Sequence, residues 1–168
     1  PKEISIPESY YHYDRDKQPY RNEVWRKHSE MDTCTEAELQ NAIATYMGQV
    51  RYVDDSVGRL LAMLDESGLA ENTLVLFFSD HGELIGDYRM SHKLPAFYDC
   101  LTKIPAIIRH PNKKWAGAVF TGLTEEIDLV PTLLDSLGID SPATMVGKSW
   151  IKSLEQQDYQ GKDTVISE

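Results

Sequence analysis

Cysteine is scarce in this chain and poorly spaced for its usual uses: Cys34 and Cys100 are two residues among 168, with no CxxC pair between them. That pattern implies neither a disulfide framework nor a thiolate zinc site. Long apolar runs are also missing. The longest, around Leu74 to Phe78 and Ile104 to Ile108, fall far below the roughly 20 residues a membrane helix needs, so the chain does not span a bilayer. Positive charge is in deficit, with 17 Lys and Arg against 27 Asp and Glu and a net charge of −10. This works against a general affinity for nucleic acid or anionic lipid, and any anionic ligand must be held locally. The sequence begins at Pro1 with polar residues and offers no signal peptide to read, as an excised segment would. No internal repeat or low-complexity tract occurs, and the length suits a core of about one domain.

What is present divides into two parts. Residues 1–34 are rich in tyrosine, proline and charge without sustained periodicity, which predicts an extended polar segment. From residue 35 the pattern changes. Thr35 and Glu38 form a capping-box signature, followed by a helical stripe of Leu39, Ile43, Tyr46, Val50, Val53, Val57, Leu60 and Leu64, with Gly68 as the stop. Gly48 and Gly58 weaken that helix without breaking it, and Asp54-Asp55 reads as its solvated or salt-bridged face. Residues 74–78 and 104–108 read as short strands, apolar on both faces and therefore in the middle of a covered parallel or mixed sheet. A short helix is expected within 94–102, and further strands at 119–121 and 164–167. Asp128 is placed to cap a helix carrying Val130, Leu133, Leu134 and Leu137, with Pro131 in its first turn and Gly138 at its end. This order of elements indicates an α/β layered fold over residues 35–168.

The chemistry gathers in LVLFFSDHGELIGDYRMSHK, residues 74–93. In open α/β sheets ligands collect beyond the carboxyl ends of strands, where Asp80 and His81 fall. Successive strand residues point to opposite faces, so the two can converge only if Gly82 turns the backbone. A carboxylate with a neutral imidazole suits a divalent ion such as Ca²⁺, Mg²⁺, Mn²⁺ or Zn²⁺. Asp80 and Glu83 equally have the spacing of a capping box, with His81 then merely exposed, and spacing alone does not separate these readings. Lys93 by itself is an ordinary surface lysine; beside a cation site it can neutralise the outer oxygens of a tetrahedral anion.

These stretches, with YMGQVRYVDDSVGRLLAMLDESGLAENT before them and KIPAIIRHP, EEIDLVPTLLDSLGI and GKSW after them, closely resemble the sulfatase family of the alkaline-phosphatase-like superfamily, including its phosphonate and phosphodiester monoesterase branch. The resemblance implies a three-layer α/β sandwich, of which residues 1–168 are a central part. It implies that Asp80 and His81 are two ligands of a catalytic divalent ion, with Ca²⁺ ahead of Mn²⁺, Mg²⁺ or Zn²⁺. Many sulfatases carry Asn where His81 stands, and the DHG form is common in phosphonate and phosphodiester hydrolases and in bacterial sulfatases. Lys93 matches the lysine that binds sulfate or phosphate oxygens, and His92 either approaches the leaving group or packs its loop.

The family nucleophile, a cysteine or serine in a C-x-P-S-R-like motif converted to formylglycine in sulfatases, has no counterpart here. Cys34 is followed by Thr-Glu-Ala and Cys100 by Leu-Thr-Lys. Both ends therefore look like cuts, and the resemblance implies an interior segment of a longer hydrolase, inactive without the rest of its parent chain. Its expected substrates are small-molecule sulfate esters. The alternatives are phosphodiester or phosphonate monoester substrates, or a non-catalytic domain that kept the fold.

Overall fold

In the computed structural model, which describes residues 4–156 and 161–166, the chain forms two compact units, Pro1–Thr73 with Phe77–Ile107 and Leu74–Leu76 with Ile108–Glu168. The described residues are mostly helical, with one small sheet. No helix among them is long and apolar enough to cross a membrane.

In the first unit, the segment expected to be extended carries two helices, α1 (Glu8–Tyr11) and α2 (Tyr20–His28). Pro7 and Pro19 each stand immediately before a helix, and their carbonyls accept the first turn's amides from Tyr10 and Asn22. Apolar periodicity misses α2 because its inward face is polar. Asn22, Glu23 and Arg26 are buried there, and Arg26 is held by Glu23 at 3.0 Å and by Asp32. The Asn22 amide donates to the Tyr98 hydroxyl at 2.7 Å.

Helix α3 (Glu36–Glu66) starts as the sequence predicts. Thr35 accepts the Glu38 amide, and the Glu38 carboxylate accepts the Thr35 amide at 2.8 Å, closing both halves of the capping box. It ends in a Schellman motif, with Gly68 at φ 71° donating to Asp65 and Leu69 donating to Leu64. Leu39 and Ile43 are buried with Tyr10, whereas Val50, Val53 and Leu60 farther along the stripe are about half exposed. Asp55 pairs with Arg51 at 2.9 Å on the exposed face.

Strand β1 (Val75–Phe78) pairs with β2 (Ala106–Arg109) in a two-stranded sheet. The covered sheet expected from the doubly apolar runs is not formed among the described residues. Phe78 is 46% and Ile107 59% exposed, because a two-stranded sheet leaves much of its apolar surface without a facing layer. Between the strands the expected helix shrinks to α4 (Asp99–Thr102).

The second unit departs from expectation three times more. Residues 119–121 form no strand, and Val119 is 84% exposed. Residues 164–166 are irregular and Ser167 lies outside the described residues; pairing nearby is limited to an isolated bridge between Leu123 and Lys162. Helix α5 (Leu129–Ser136) forms where expected and ends in a second Schellman motif at Gly138. Asp128, however, makes no side-chain cap for it. A 3₁₀ turn at Glu126–Asp128 precedes α5, and the Asp128 carboxylate faces back to accept amides of Glu125 at 3.0 Å and Lys148 at 2.7 Å. Lys162 Nζ lies 2.7 Å away and also pairs with Glu125. Thr132 donates to the Asp128 carbonyl and accepts the Trp150 amide just before α6 (Ile151–Glu155). Asp128 is thus a buried hub that joins α5, residues 148–150 and residue 162.

Candidate functional site

The sequence-predicted site residues all lie in the loop that follows β1, within the first unit. No helix starts at Asp80, so the capping-box reading of Asp80 and Glu83 does not apply. Instead the chain bends at Asp80. The Ser79 hydroxyl donates to the His81 carbonyl at 2.8 Å, and the His81 amide donates to Asp80 Oδ1 at 3.0 Å.

Gly82 is required beside this bend. Its amide donates to the Leu101 carbonyl at 2.8 Å, and a Cβ at this position would lie 1.9 Å from the Cys100 carbonyl oxygen. Gly82→Ala is therefore expected to destabilise the protein by about 3 kcal/mol, at the upper end of overpacking costs. Urea unfolding measures this directly, and a loss below about 0.5 kcal/mol would contradict the close approach.

The bend brings the two side chains together, with His81 Nε2 3.4 Å from Asp80 Oδ2. His81 Nδ1 lies 2.7 Å from the Gly82 carbonyl, and since a carbonyl only accepts, Nδ1 carries the proton. The Nε2 lone pair is then free for a ligand, as in histidines that bind metals. The hydrogen bond from the His81 amide, and to a lesser degree the nearby charge of Lys93, hold the exposed Asp80 carboxyl below its ordinary value. A carboxylate oxygen and an imidazole nitrogen this far apart can both reach one divalent ion at the usual 2.0–2.6 Å. The pair fits such an ion as part of its shell. Among the described residues no group of three or more His, Cys, Asp or Glu is arranged to hold a metal.

Lys93 is exposed, and among the described residues no ion pair holds its ammonium. It follows an unusual stretch of backbone: Tyr88, Arg89 and His92 have φ of 51°, 57° and 67°, after Gly86 at 95°. Left-handed backbone at bulky residues costs on the order of 1–3 kcal/mol each. His92 Nδ1 is 2.8 Å from the Ser91 hydroxyl, and its amide donates to the Leu84 carbonyl. Leu84, Met90, Leu94 and Leu101 form the hydrophobic cluster beneath this loop. Sequence reasoning missed the contacts that this stretch makes with Ser9 and Tyr10, since no local pattern pairs residues almost 80 positions apart.

The sulfatase family profile matches residues 5–139. The chain is 34% identical over 134 residues to an arylsulfatase of Clostridium perfringens, covering 77% of this chain and 27% of that protein. A solved protein in complex with its substrate, D-glucosamine-2-N,6-O-disulfate, superimposes with a TM-score of 0.66 at 30% identity, over 81% of this chain and 28% of that one. The phosphonate monoester hydrolase of Agrobacterium radiobacter does so with a TM-score of 0.68 at 33% identity, over 76% and 25%. The chain belongs to the sulfatase family, within the alkaline phosphatase superfamily. Its fold is that of sulfatases over part of their length. It spans about a quarter of the length of the curated relatives it matches.

Proposed function

We propose that this chain is part of the catalytic domain of a metal-dependent sulfuric ester hydrolase, of arylsulfatase type, and forms one wall of its active site. In this reading residues 1–168 belong to a three-layer alkaline-phosphatase-like sandwich completed by the rest of a longer parent chain. The observation that carries it is the convergence of Asp80 Oδ2 and His81 Nε2, 3.4 Å apart, at the bend that the family match includes.

Asp80 and His81 would hold a divalent ion, with Ca²⁺ ahead of Mn²⁺, Mg²⁺ and Zn²⁺, and the parent chain would provide the remaining ligands. Such an ion, when bound, supplies Lewis-acid charge next to the ester. The Gly82 carbonyl keeps the His81 ring in the tautomer that presents Nε2. The Lys93 ammonium neutralises charge that develops on the outer sulfate oxygens in the transition state. His92, already bonded through Nδ1 to Ser91, serves either the leaving group or the loop. The nucleophile, a formylglycine in this reading, comes from outside the chain, so the chain alone is inactive.

A second reading, hydrolysis of phosphonate monoesters or phosphodiesters, is favoured by histidine at position 81 and by the similarity to the phosphonate monoester hydrolase. Turnover of aryl sulfates against phenylphosphonate esters by the full-length parent separates the two. The shared metal assignment is tested by titration calorimetry with Ca²⁺ and Mn²⁺. Asp80→Ala is expected to weaken binding at least about tenfold, as even residues that only orient metal ligands do. Unchanged affinity refutes the metal assignment and leaves a non-catalytic domain as the better description.

A further inference from the structure

We infer that α1 clamps the loop that carries Lys93, so that Ser9, Tyr10, Asp87 and Arg89 act as positioning residues for the anion-binding lysine. The inference rests on the role proposed for Lys93 above. The loop from Gly86 to His92 holds three bulky residues in left-handed backbone, at Tyr88, Arg89 and His92. Such conformations persist only where the surroundings over-determine them.

Those surroundings come from remote parts of the same unit. The Ser9 hydroxyl donates to Asp87 Oδ1 at 2.9 Å. Arg89 Nε donates to the Tyr10 carbonyl at 3.3 Å, and the Arg89 guanidinium lies over the Tyr10 ring at 4.7 Å. Tyr10 is a firm anchor, 5% exposed and packed with Leu39 and Ile43 of α3. On the other side, Tyr88 stacks on Tyr98 with ring centroids 4.2 Å apart. Ile85 and Ser91 form an antiparallel bridge, and the His92 amide donates to the Leu84 carbonyl at 3.1 Å.

Lys93 is the next residue after this restrained loop. Its side chain is exposed, so its reach toward an anion is set by where the loop fixes its backbone. Release of the α1 contacts lets residues 86–92 relax toward ordinary right-handed or extended backbone and displaces the root of the lysine. Misplacement of a catalytic group by about 1 Å can cost on the order of 100-fold in rate.

The test is a double-mutant cycle in the full-length parent, with sulfate-ester kinetics, Ca²⁺ titration and hydrogen exchange of residues 86–92. Ser9→Ala combined with Arg89→Gln is expected to lower kcat/KM about tenfold or more and to speed exchange in the loop, with Ca²⁺ affinity unchanged. In a Lys93→Ala background the same pair is expected to cost nothing further, because its effect passes through the lysine. Full additivity in that background, or unchanged exchange in the loop, overturns the clamp. A harmless Lys93→Ala overturns the role assigned to the lysine instead, so the two failures are distinguishable.

Discussion

Lys93→Ala in the full-length parent is expected to lower kcat by about 100- to 1000-fold while divalent-ion affinity stays at the wild-type value. This is the range, about 3–4 kcal/mol, for removal of one preorganised donor from a developing oxyanion. Among the described residues no ion pair competes for the Lys93 ammonium, and its charge helps to hold the Asp80 carboxyl below its ordinary value. An exposed lysine with no such role would be replaceable at little cost. Single-turnover kinetics isolates the chemical step, and calorimetry on the same variant reads the ion. Loss of the ion in Lys93→Ala would mean that the lysine organises Asp80 and His81 rather than the substrate.

The largest expected change in stability comes from Asp128→Ala. Asp128 is 1% exposed, and its partner Lys162 has a side chain 11% exposed. Removal of the carboxylate leaves the Lys162 ammonium poorly compensated, with Glu125 alone still paired to it among the described residues. Breaking a buried pair in this way costs about 3–5 kcal/mol. Urea unfolding should show that loss, and Asp128→Ala with Lys162→Met should recover part of it, since no buried charge then lacks its partner. Equal loss in the single and double variants would show that Asp128 matters for its amide contacts rather than for Lys162.

The sign of the pH dependence follows from the same contacts. Burial pushes the Asp128 carboxyl up, but Lys162 and the amides of Lys148 and Glu125 outweigh it, and the net shift is downward. Its stabilisation is therefore present above the unfolded value near pH 4 and is lost as pH falls through the folded one. Burial pushes the Lys162 ammonium down, yet Asp128 and Glu125 raise it overall. Its contribution is complete below about pH 10 and is lost above the folded value. Asp128→Asn should flatten the acid limb and leave the neutral plateau lower.

What the sequence made legible was local. The cap of α3 lies within four residues, Thr35 to Glu38, and both of its hydrogen bonds are made. The two strands and α5 announce themselves by short apolar runs and by Gly138. Asp80 and His81, expected to converge beside Gly82, approach to 3.4 Å, although the chain bends at Asp80 rather than at the glycine. The misses share a cause. Helix α2 buries Asn22, Glu23 and Arg26, which a hydrophobic pattern cannot register. Asp128 has the residue type of a cap, but its partners stand 20 and 34 positions downstream. The anchors of the Lys93 loop are 78 and 79 positions upstream of it. Neither strand at 119–121 nor strand at 164–166 forms, since β-propensity without a neighbouring strand to complete the hydrogen bonds is a weak instruction.

The two halves of the candidate site differ sharply in the length of chain they depend on. Asp80 and His81 are held by bonds between residues one or two positions apart and Gly82 by one to Leu101, 19 positions downstream, whereas the lysine loop needs Ser9 and Tyr10. Closing a loop of about ten residues takes only 10–100 ns, while contacts between distant segments wait for the collapse and ordering of the chain as a whole. The Asp80-His81 pair is accordingly expected to take shape earlier in folding than the lysine loop. In the reading proposed above, the cation side of the site is thus expected to be ordered before the anion side.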